Sequence, residues 1–241
     1  MLFNMNKFIN PTTGVISRHF IEYSQQAGQL LYWHNHKGAR IQVRQYQQLR
    51  WLLINDTLQS VVLQHQPEQL LLPHLQCLAQ HWQAHTAPIK VLELGLGGGA
   101  IRNYLVQRYP EAEITSVEIN SAIISCYTTF FAHDRQQPLI CNSAQQVLNS
   151  AHAIDWIVLD LFSQVDAPRF LFEQAFYEKI HAALNNNGTL FINFLAQHES
   201  QLKQLQQLLL QVFGYKISPQ KIAGYMNHIV MITKQAPKQL N

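Results

Sequence analysis

The sequence is poor in charge and has no long apolar run. Charged residues make up 13% of its 241 residues, and the net charge is +3. Arg40, Arg44 and Arg50 are spaced among apolar residues and form no continuous basic stripe, so the sequence predicts no nucleic-acid partner. No stretch approaches the roughly 20 apolar residues of a membrane span, and the first residues lack a signal-peptide pattern. These absences predict no membrane partner and a cytoplasmic location.

Cysteine is also scarce, and the spacing of the cysteines indicates neither a disulfide scaffold nor a zinc knuckle. Cys77, Cys126 and Cys141 lie in apolar surroundings without C-x-x-C spacing, which predicts buried thiols in a reducing compartment. One face of a predicted helix carries His74, Cys77, His81 and His85. No second cluster completes a tetrahedral ligand set, so we interpret this face as the flank of a core and expect no metal.

The first 65 residues have the character of a small β-subdomain. Short runs rich in β-formers are separated by turn signals and predict strands at 15–24, 29–34, 39–46, 50–56 and 58–64. The sequence therefore predicts an antiparallel N-terminal β-subdomain over residues 1–65. Apolar residues at helical spacing follow, and Pro73 predicts that this helix begins there.

From Lys90 onward, predicted strands and helices alternate. Strands are predicted at 90–95, 113–119, 138–142, 154–160 and 188–194. Helices are predicted to begin near Ala100, Ser121, Ala144, Arg169 and Gln197. This alternation indicates an α/β domain over residues 66–241, a Rossmann-like doubly wound sheet that is mostly parallel. Segments 214–219 and 228–234, joined by a turn at Ala223-Gly224, predict a C-terminal antiparallel hairpin.

A glycine-rich turn links the first strand of this domain to its first helix. The turn contains Gly95, Gly97, Gly98 and Gly99. Bare backbone at a strand-to-helix turn lets a nucleotide-like ligand approach closely. Glu118, about 20 residues further on at the end of the next strand, is suited to bind both hydroxyls of a ribose.

The glycine turn and Glu118 together allow three interpretations. They could bind a dinucleotide or a cofactor of the S-adenosylmethionine type, or the turn could be a tight turn that binds no ligand. A dinucleotide fingerprint has similar spacing. Glu93, just before the turn, would repel a pyrophosphate but suits a cationic amino group. The last segments are also expected to form a hairpin and not a second catalytic domain. These two features favour a cofactor of the S-adenosylmethionine type.

The segments VLELGLGGGA, SVEIN and DWIVLDLF, followed by FLFEQAFYEKIHAALNNNGTLFINF, resemble the spermidine synthase (polyamine aminopropyltransferase) family, within the class I methyltransferase-like fold. The resemblance implies a transferase that binds S-adenosylmethionine or decarboxylated S-adenosylmethionine, acts on a small molecule and forms a homodimer. It implies that the glycines line the aminopropyl or amino-acid portion, that Glu118 holds the ribose, and that Asp160 helps to deprotonate a substrate amine. Ile119, Ser143 and Ala144 complete the expected cofactor site.

The chain departs from the family pattern at three polar positions. The second acid of the family's D-x-x-D motif is Ser163, and the acid expected near the adenine amine is Ser143. The Tyr-His-Glu cluster of the family falls at Leu72-Pro73-His74. Because each ammonium group of a polyamine needs a carboxylate or equivalent partner, these departures argue against a polyamine acceptor. His74, Phe162 and Ser163 are expected to face the substrate.

Two other functions stay open at this point. The first is an S-adenosylmethionine-dependent methyltransferase that acts on a neutral or aromatic small molecule. Aromatic residues after the fourth strand of the domain could line such a pocket, although we favour a core role for Phe162, Phe170, Phe172 and Tyr177. The second is a catalytically silent binding or assembly module of the same fold, which the lost acids favour.

Overall fold

The computed structural model describes residues 7–133, 137–161 and 168–236. The N-terminal part contains α1 (Arg18–Tyr23), β1 (Gln29–His36), β2 (Ala39–Tyr46), β3 (Leu49–Ile54) and β4 (Thr57–Leu63). The middle contains α2 (Pro73–Gln83), β5 (Lys90–Leu94), α3 (Ala100–Arg108), β6 (Glu113–Glu118), α4 (Ser121–Cys126), a π-helical turn (Tyr127–Phe131), β7 (Leu139–Cys141), α5 (Ala144–Val147) and β8 (Ile154–Leu159). The C-terminal part contains a 3₁₀ turn (Arg169–Phe172), α6 (Gln174–Ala183), β9 (Leu184–Leu195), α7 (Glu199–Phe213), β10 (Gln220–Lys221) and β11 (Asn227–Thr233).

The described residues form two compact units. The first holds the described residues up to Gln76, Leu96–Pro110, and those from Asn120 to 133. The second holds Cys77–Gly95, Glu111–Ile119 and the described residues from Gln137 onward. The boundary predicted at residue 65 stays a prediction, and in the structure α3 and α4 belong to the unit that contains the N-terminal strands.

The first unit is built on a four-stranded sheet with the order β1-β2-β3-β4, and each neighbouring pair is antiparallel. Trp51 of β3 is fully buried in its core, its indole nitrogen donates to the backbone oxygen of Ser24 at 2.9 Å, and its ring meets Phe20 edge-on at 4.9 Å. This sheet confirms the predicted antiparallel β-subdomain.

The strand predicted at 15–24 is wrong, because this segment contains α1. Ser17 caps the helix, and its hydroxyl accepts a hydrogen bond from the amide of Phe20 at 3.2 Å. Phe20 is the buried residue of this short helix. A single apolar anchor gives little helical periodicity, so the capping residue Ser17 was the sequence signal that could have identified the helix.

The second unit contains a seven-stranded sheet with the order β10-β11-β9-β8-β5-β6-β7. The five strands from β9 to β7 are mutually parallel, and β11 pairs antiparallel with β9. The carboxyl ends of the parallel strands therefore share one edge of the sheet, and β11 begins at that same edge. This topology confirms the predicted doubly wound, mostly parallel α/β fold with its antiparallel C-terminal strands.

The strand predicted at 214–219 is displaced to β10. Gly214 ends α7 in the left-handed region with φ of 84°. The hydroxyl of Tyr215 then donates to the backbone oxygen of Thr233 and accepts from its amide, both at 2.7 Å. The segment is thus used to end the helix and to bind the end of β11, and pairing begins only at Gln220.

Two further observations concern the sequence expectations. Cys77 and Cys126 are buried as predicted, but Cys141 is exposed because it ends β7, the outermost strand of its sheet. Among the described residues, none of the helices combines the length and apolar character that crossing a bilayer requires.

Candidate functional site

The ends of β5 and β8 meet at Gly95. The amide of Gly95 donates to the backbone oxygen of Val117 at 2.9 Å. The amide of Asp160 donates to the backbone oxygen of Leu94, also at 2.9 Å. Gly95 has φ of 102°, and a Cβ there would lie 2.1 Å from the backbone oxygen of Asp160. Only glycine allows this approach. The structure therefore places two predicted site residues, Gly95 and Asp160, in direct contact.

The other glycines of the turn differ in what surrounds them. A Cβ on Gly98 would lie 2.8 Å from that of Ser60, and a Cβ on Gly99 would lie 2.1 Å from Cε2 of Tyr127. These two glycines are therefore required by the packing of the protein itself. At Gly97, with φ of 52°, no atom of the described residues lies within 4 Å of the Cβ position, apart from its neighbours in the chain. The predicted contact of Gly97 with a ligand stays a prediction.

Tyr127, which the sequence interpretation missed, fixes the glycine turn from a π-helical turn. Its hydroxyl donates to Oδ1 of Asn103 at 3.3 Å and lies 3.2 Å from Nε of Arg102. Arg102, Asn103 and Tyr127 are all buried. The glycine at position 99 was the available signal, because a glycine in a turn can leave space for a large side chain such as that of Tyr127.

Glu93 is buried in β5, directly opposite Ser116 of β6. The hydroxyl of Ser116 donates to Oε2 of Glu93. The carboxylate thus shares a hydrogen bond with its own sheet. A carboxylate can accept further hydrogen bonds, so the bond from Ser116 is compatible with the predicted contact to a cationic amino group. That contact stays a prediction.

Glu118 and Ile119 end β6 at the carboxyl edge of the sheet. Glu118 is half-buried and its backbone oxygen accepts from the amide of Asn142 at 3.1 Å, which links it to the end of β7. Ile119 is 72% exposed. The predicted roles of Glu118 and Ile119 in binding a ribose and its base stay predictions.

Ser143 has a structural role that the sequence interpretation did not foresee. It is the N-cap of α5, and its hydroxyl accepts from the amide of Gln146 at 3.2 Å. Its own amide donates to Oδ1 of Asn142 at 2.8 Å. Ala144, the first residue of the helix, is buried. The roles of Ser143 and Ala144 in binding adenine stay predictions.

Asp160 follows β8, and its carboxyl is held by a strand neighbour. Nδ2 of Asn193 on β9 donates to its Oδ1 at 2.7 Å. The dense protein around the carboxyl raises the pKa of Asp160 from 3.8 to about 6, and the hydrogen bond from Asn193 partly opposes that shift. A carboxyl group with a pKa near neutrality can take up and release a proton under physiological conditions.

The three residues predicted to face the substrate have different outcomes. Phe162 and Ser163 lie outside the described residues. His74 lies in the first turn of α2, and its buried Nδ1 has no hydrogen-bond partner among the described residues. Burial lowers the pKa of His74 to about 4. The imidazole is therefore neutral at pH 7, and a contact with the substrate stays a prediction.

Aromatic residues near the end of β8 pack into the core, as we favoured. The ring of Phe170 lies 4.9 Å from that of Phe176, and the ring of Phe172 lies 6.0 Å from that of Phe194. The buried hydroxyl of Tyr177 donates to the backbone oxygen of Leu171 at 2.8 Å. Within residues 7–133, 137–161 and 168–236, no group of three or more His, Cys, Asp and Glu side chains could hold a metal ion.

The parallel sheet, the glycine turn after its first strand and the acid that ends the next strand define a methyltransferase-like α/β fold. Residues 74–240 match the model of the spermine/spermidine synthase domain. The chain belongs to that family.

Known proteins agree with this assignment. A polyamine aminopropyltransferase of Chromobacterium violaceum is 24% identical over 187 residues, which cover 76% of this chain and 71% of that protein. Matches to three further curated relatives span 24% to 53% of their length. A probable spermidine synthase from Corynebacterium glutamicum has a TM-score of 0.72 at 19% identity, covering 88% of this chain and 81% of that one. Human methyltransferase-like protein 13, in complex with SAH, has a TM-score of 0.60 at 19% identity, covering 69% and 84%. Both structures are similar to this chain in fold.

Proposed function

We propose that the protein is a transferase of the aminopropyltransferase type, which binds S-adenosylmethionine or its decarboxylated form and transfers a group to a small nucleophilic acceptor. The observation that carries the proposal is Asp160, a shielded carboxyl with a pKa of about 6 at the carboxyl end of β8. In open parallel sheets, this edge is where ligands bind. Membership of the spermine/spermidine synthase domain family supports the same activity.

Residues of the chain fit an adenosine-containing cofactor. Glu118 supplies carboxylate oxygens for the ribose hydroxyls, and the exposed Ile119 supplies an apolar surface for the base. At Gly97 the backbone is open, and a Cβ would occupy that space. Glu93, two residues before Gly95, is the acid for a cationic amino group. These contacts remain our proposal for how the chain holds the cofactor.

Asp160 would act as the proton acceptor of the reaction. When bound, the sulfonium cofactor supplies an electrophilic carbon, whose bond to sulfur breaks with its electron pair to leave a neutral thioether. The acceptor's nucleophilic atom forms the new bond to that carbon and loses one proton. Asp160 takes this proton on Oδ2, because Oδ1 is already bound by Asn193. Its raised pKa makes it a better match for this proton than an ordinary aspartate.

The acceptor is proposed to carry fewer positive charges than a polyamine. Ser163 stands in the sequence where the resemblance implies a second acid. Of the two positions of this motif, the structure describes Asp160, which carries the carboxyl. A buried ammonium group without a carboxylate partner costs several kcal/mol. We therefore propose a monoamine or neutral nucleophile as the acceptor.

Methyl transfer is the second candidate function. Glu93, fully buried in β5, is placed just ahead of the glycine turn, where it suits the amino group of a full methionine portion. The likeness in fold to a methyltransferase-like protein solved with SAH supports the same alternative. The two candidates differ in which cofactor binds more tightly.

Calorimetric titration tests the proposal. Wild type, Glu118→Ala and the control Glu113→Ala, at the exposed opposite end of β6, are titrated with S-adenosylmethionine, decarboxylated S-adenosylmethionine, S-adenosylhomocysteine and 5′-methylthioadenosine. We expect wild type and Glu113→Ala to bind alike and Glu118→Ala to lose about 1 to 3 kcal/mol. Tighter binding of S-adenosylmethionine than of the decarboxylated form supports methyl transfer. Absence of binding by all four compounds refutes both candidates and leaves the silent module.

We also propose that the protein forms a homodimer in the cytoplasm. β1 is an edge strand of the four-stranded sheet, and it exposes Leu30 by 45% and Trp33 by 53%. An exposed edge with large apolar side chains invites pairing with a second copy. Light scattering should give a dimer for wild type and for Ile89→Lys, and a monomer for Trp33→Lys. The buried thiols of Cys77 and Cys126 support a reducing compartment, which cell fractionation can check.

A further inference from the structure

Two buried asparagines connect Asp160 to the interior of the sheet. Nδ2 of Asn227, the first residue of β11, donates to Oδ1 of Asn193 at 2.9 Å, and Nδ2 of Asn193 donates to Oδ1 of Asp160 at 2.7 Å. Asn193 is 2% exposed and Asn227 is 7% exposed. The three side chains form one continuous chain of hydrogen bonds across β8, β9 and β11.

The surroundings of this chain are apolar. The neighbours of Asn193 on the same face of β9 are the buried Phe191 and the half-buried Leu195, and Asn193 faces the buried Ile229 of β11 in the strand register. Burying an amide group in such surroundings costs free energy unless its hydrogen bonds are made. Apolar side chains would fill these two positions at no such cost. The polar chain therefore requires an explanation beyond the stability of the sheet.

The direction of the chain is set by the carboxylate. An ionised carboxylate only accepts hydrogen bonds, so the NH₂ group of Asn193 is the one that faces Asp160. Oδ1 of Asn193 then points to Asn227, whose NH₂ group donates to it and holds the amide in this orientation. Within the described part of the chain, the carboxyl of Asp160 has no other hydrogen-bond partner. Oδ1 is therefore held by Asn193, and none of the described residues holds Oδ2.

We propose that Asn193 and Asn227 are positioning residues, which hold the carboxyl of Asp160 in one orientation and leave Oδ2 to receive the proton of the acceptor. The inference rests on the proposed function, in which Asp160 is the proton acceptor. Asn193 acts directly on the carboxyl. Asn227 acts only through Asn193.

The neutral character of the chain suits this role. A cationic partner would hold Asp160 ionised and lower its pKa, whereas two amides orient the carboxyl without adding charge. Near the carboxyl edge of the sheet, the ionisable side chains on these strands are Glu93 of β5, Glu118 of β6 and His228 of β11, whereas Lys90 of β5 and Glu113 of β6 lie at the opposite end. The pKa of Asp160 responds to burial and to Asn193, and none of these groups is among its causes.

The test is a ¹³C NMR titration of the Asp160 carboxyl, assigned with Asp160→Asn, in wild type, Asn193→Leu, Asn227→Leu and the double variant. Asn185→Leu is the matched control, because Nδ2 of Asn185 donates to Oδ1 of Asp155 at 2.8 Å near the other end of β8 and β9. We expect Asn193→Leu to raise the pKa of Asp160 by about one pH unit. Asn227→Leu should raise it by less, and should add nothing in the Asn193→Leu background.

The control should leave the titration of Asp160 unchanged. An unchanged pKa of Asp160 in Asn227→Leu, together with a lowered melting temperature, overturns the inference, since it shows that Asn227 serves packing alone. If Asn193→Leu does not fold, Asn193→Ser removes the same donor with less added apolar volume, and the same shift is expected. The titration needs no cofactor, so its outcome is separate from that of the calorimetry, in which loss of all cofactor binding refutes the proposed function.

Discussion

Replacing Asp160 with asparagine should stabilise the folded protein at high pH. The pKa of Asp160 is about 6 in the folded protein, against an ordinary value of 3.8. Between these two values the folded state binds more protons than the unfolded state, so stability falls as the pH rises through about 4 to 6, and the cost is fully present above that window. The whole shift corresponds to about 3 kcal/mol. Because Asp160 keeps some exposure to solvent, we expect about 1 to 2 kcal/mol.

The asparagine variant keeps the shape of the side chain and can still accept the hydrogen bond from Asn193, so it removes mainly the charge. Urea denaturation of wild type and Asp160→Asn at pH 4 and pH 8 measures the difference in the free energy of unfolding. The variant should be the more stable protein at pH 8, and its advantage should disappear at pH 4. An advantage of equal size at both pH values would refute the argument, because it could not come from ionisation of this carboxyl.

Three other predictions concern the glycine turn and the end of β6. Gly97→Ala should fold with a loss of about 1 kcal/mol from its positive φ, yet lose most of its affinity for the sulfonium cofactors in calorimetry. Gly99→Ala should instead lose stability by about 3 kcal/mol or more in thermal melts, because its Cβ would overlap Tyr127; equal stability of the two variants would contradict this assignment. Ile119→Ser should weaken binding of 5′-methylthioadenosine by about 1 to 2 kcal/mol with little change in melting temperature, since its side chain is already exposed.

Much of the fold could be predicted because its signals are local. The parallel strands are short segments rich in apolar and β-branched residues. Glycine, asparagine or serine marks the starts of α3, α4 and α5. The errors arose where one local signal competed with another. The capped segment of α1 contains β-formers, and the segment after Gly214 has strand-like composition but serves to end α7.

The candidate site could be predicted only in part, because some of its contacts are between residues far apart in the chain. The strand-to-helix turn and the acid ending β6 are visible as a pattern. Asn193 and Asn227 are separated by 34 positions, and their contact depends on the antiparallel register of β9 and β11. Tyr127 was likewise hidden, since no periodicity shows which side chain fills the space beside Gly99.

The capping role of Ser143 changes what its divergence from the family pattern means. Aspartate caps a helix about as well as serine does. Exchange between the two residues at this position is therefore nearly free for the fold, and it alters only the charge offered to a ligand. A change at this one position can therefore alter ligand preference without a compensating change elsewhere in the fold. The serine is as consistent with a shift in ligand specificity as with loss of catalytic activity.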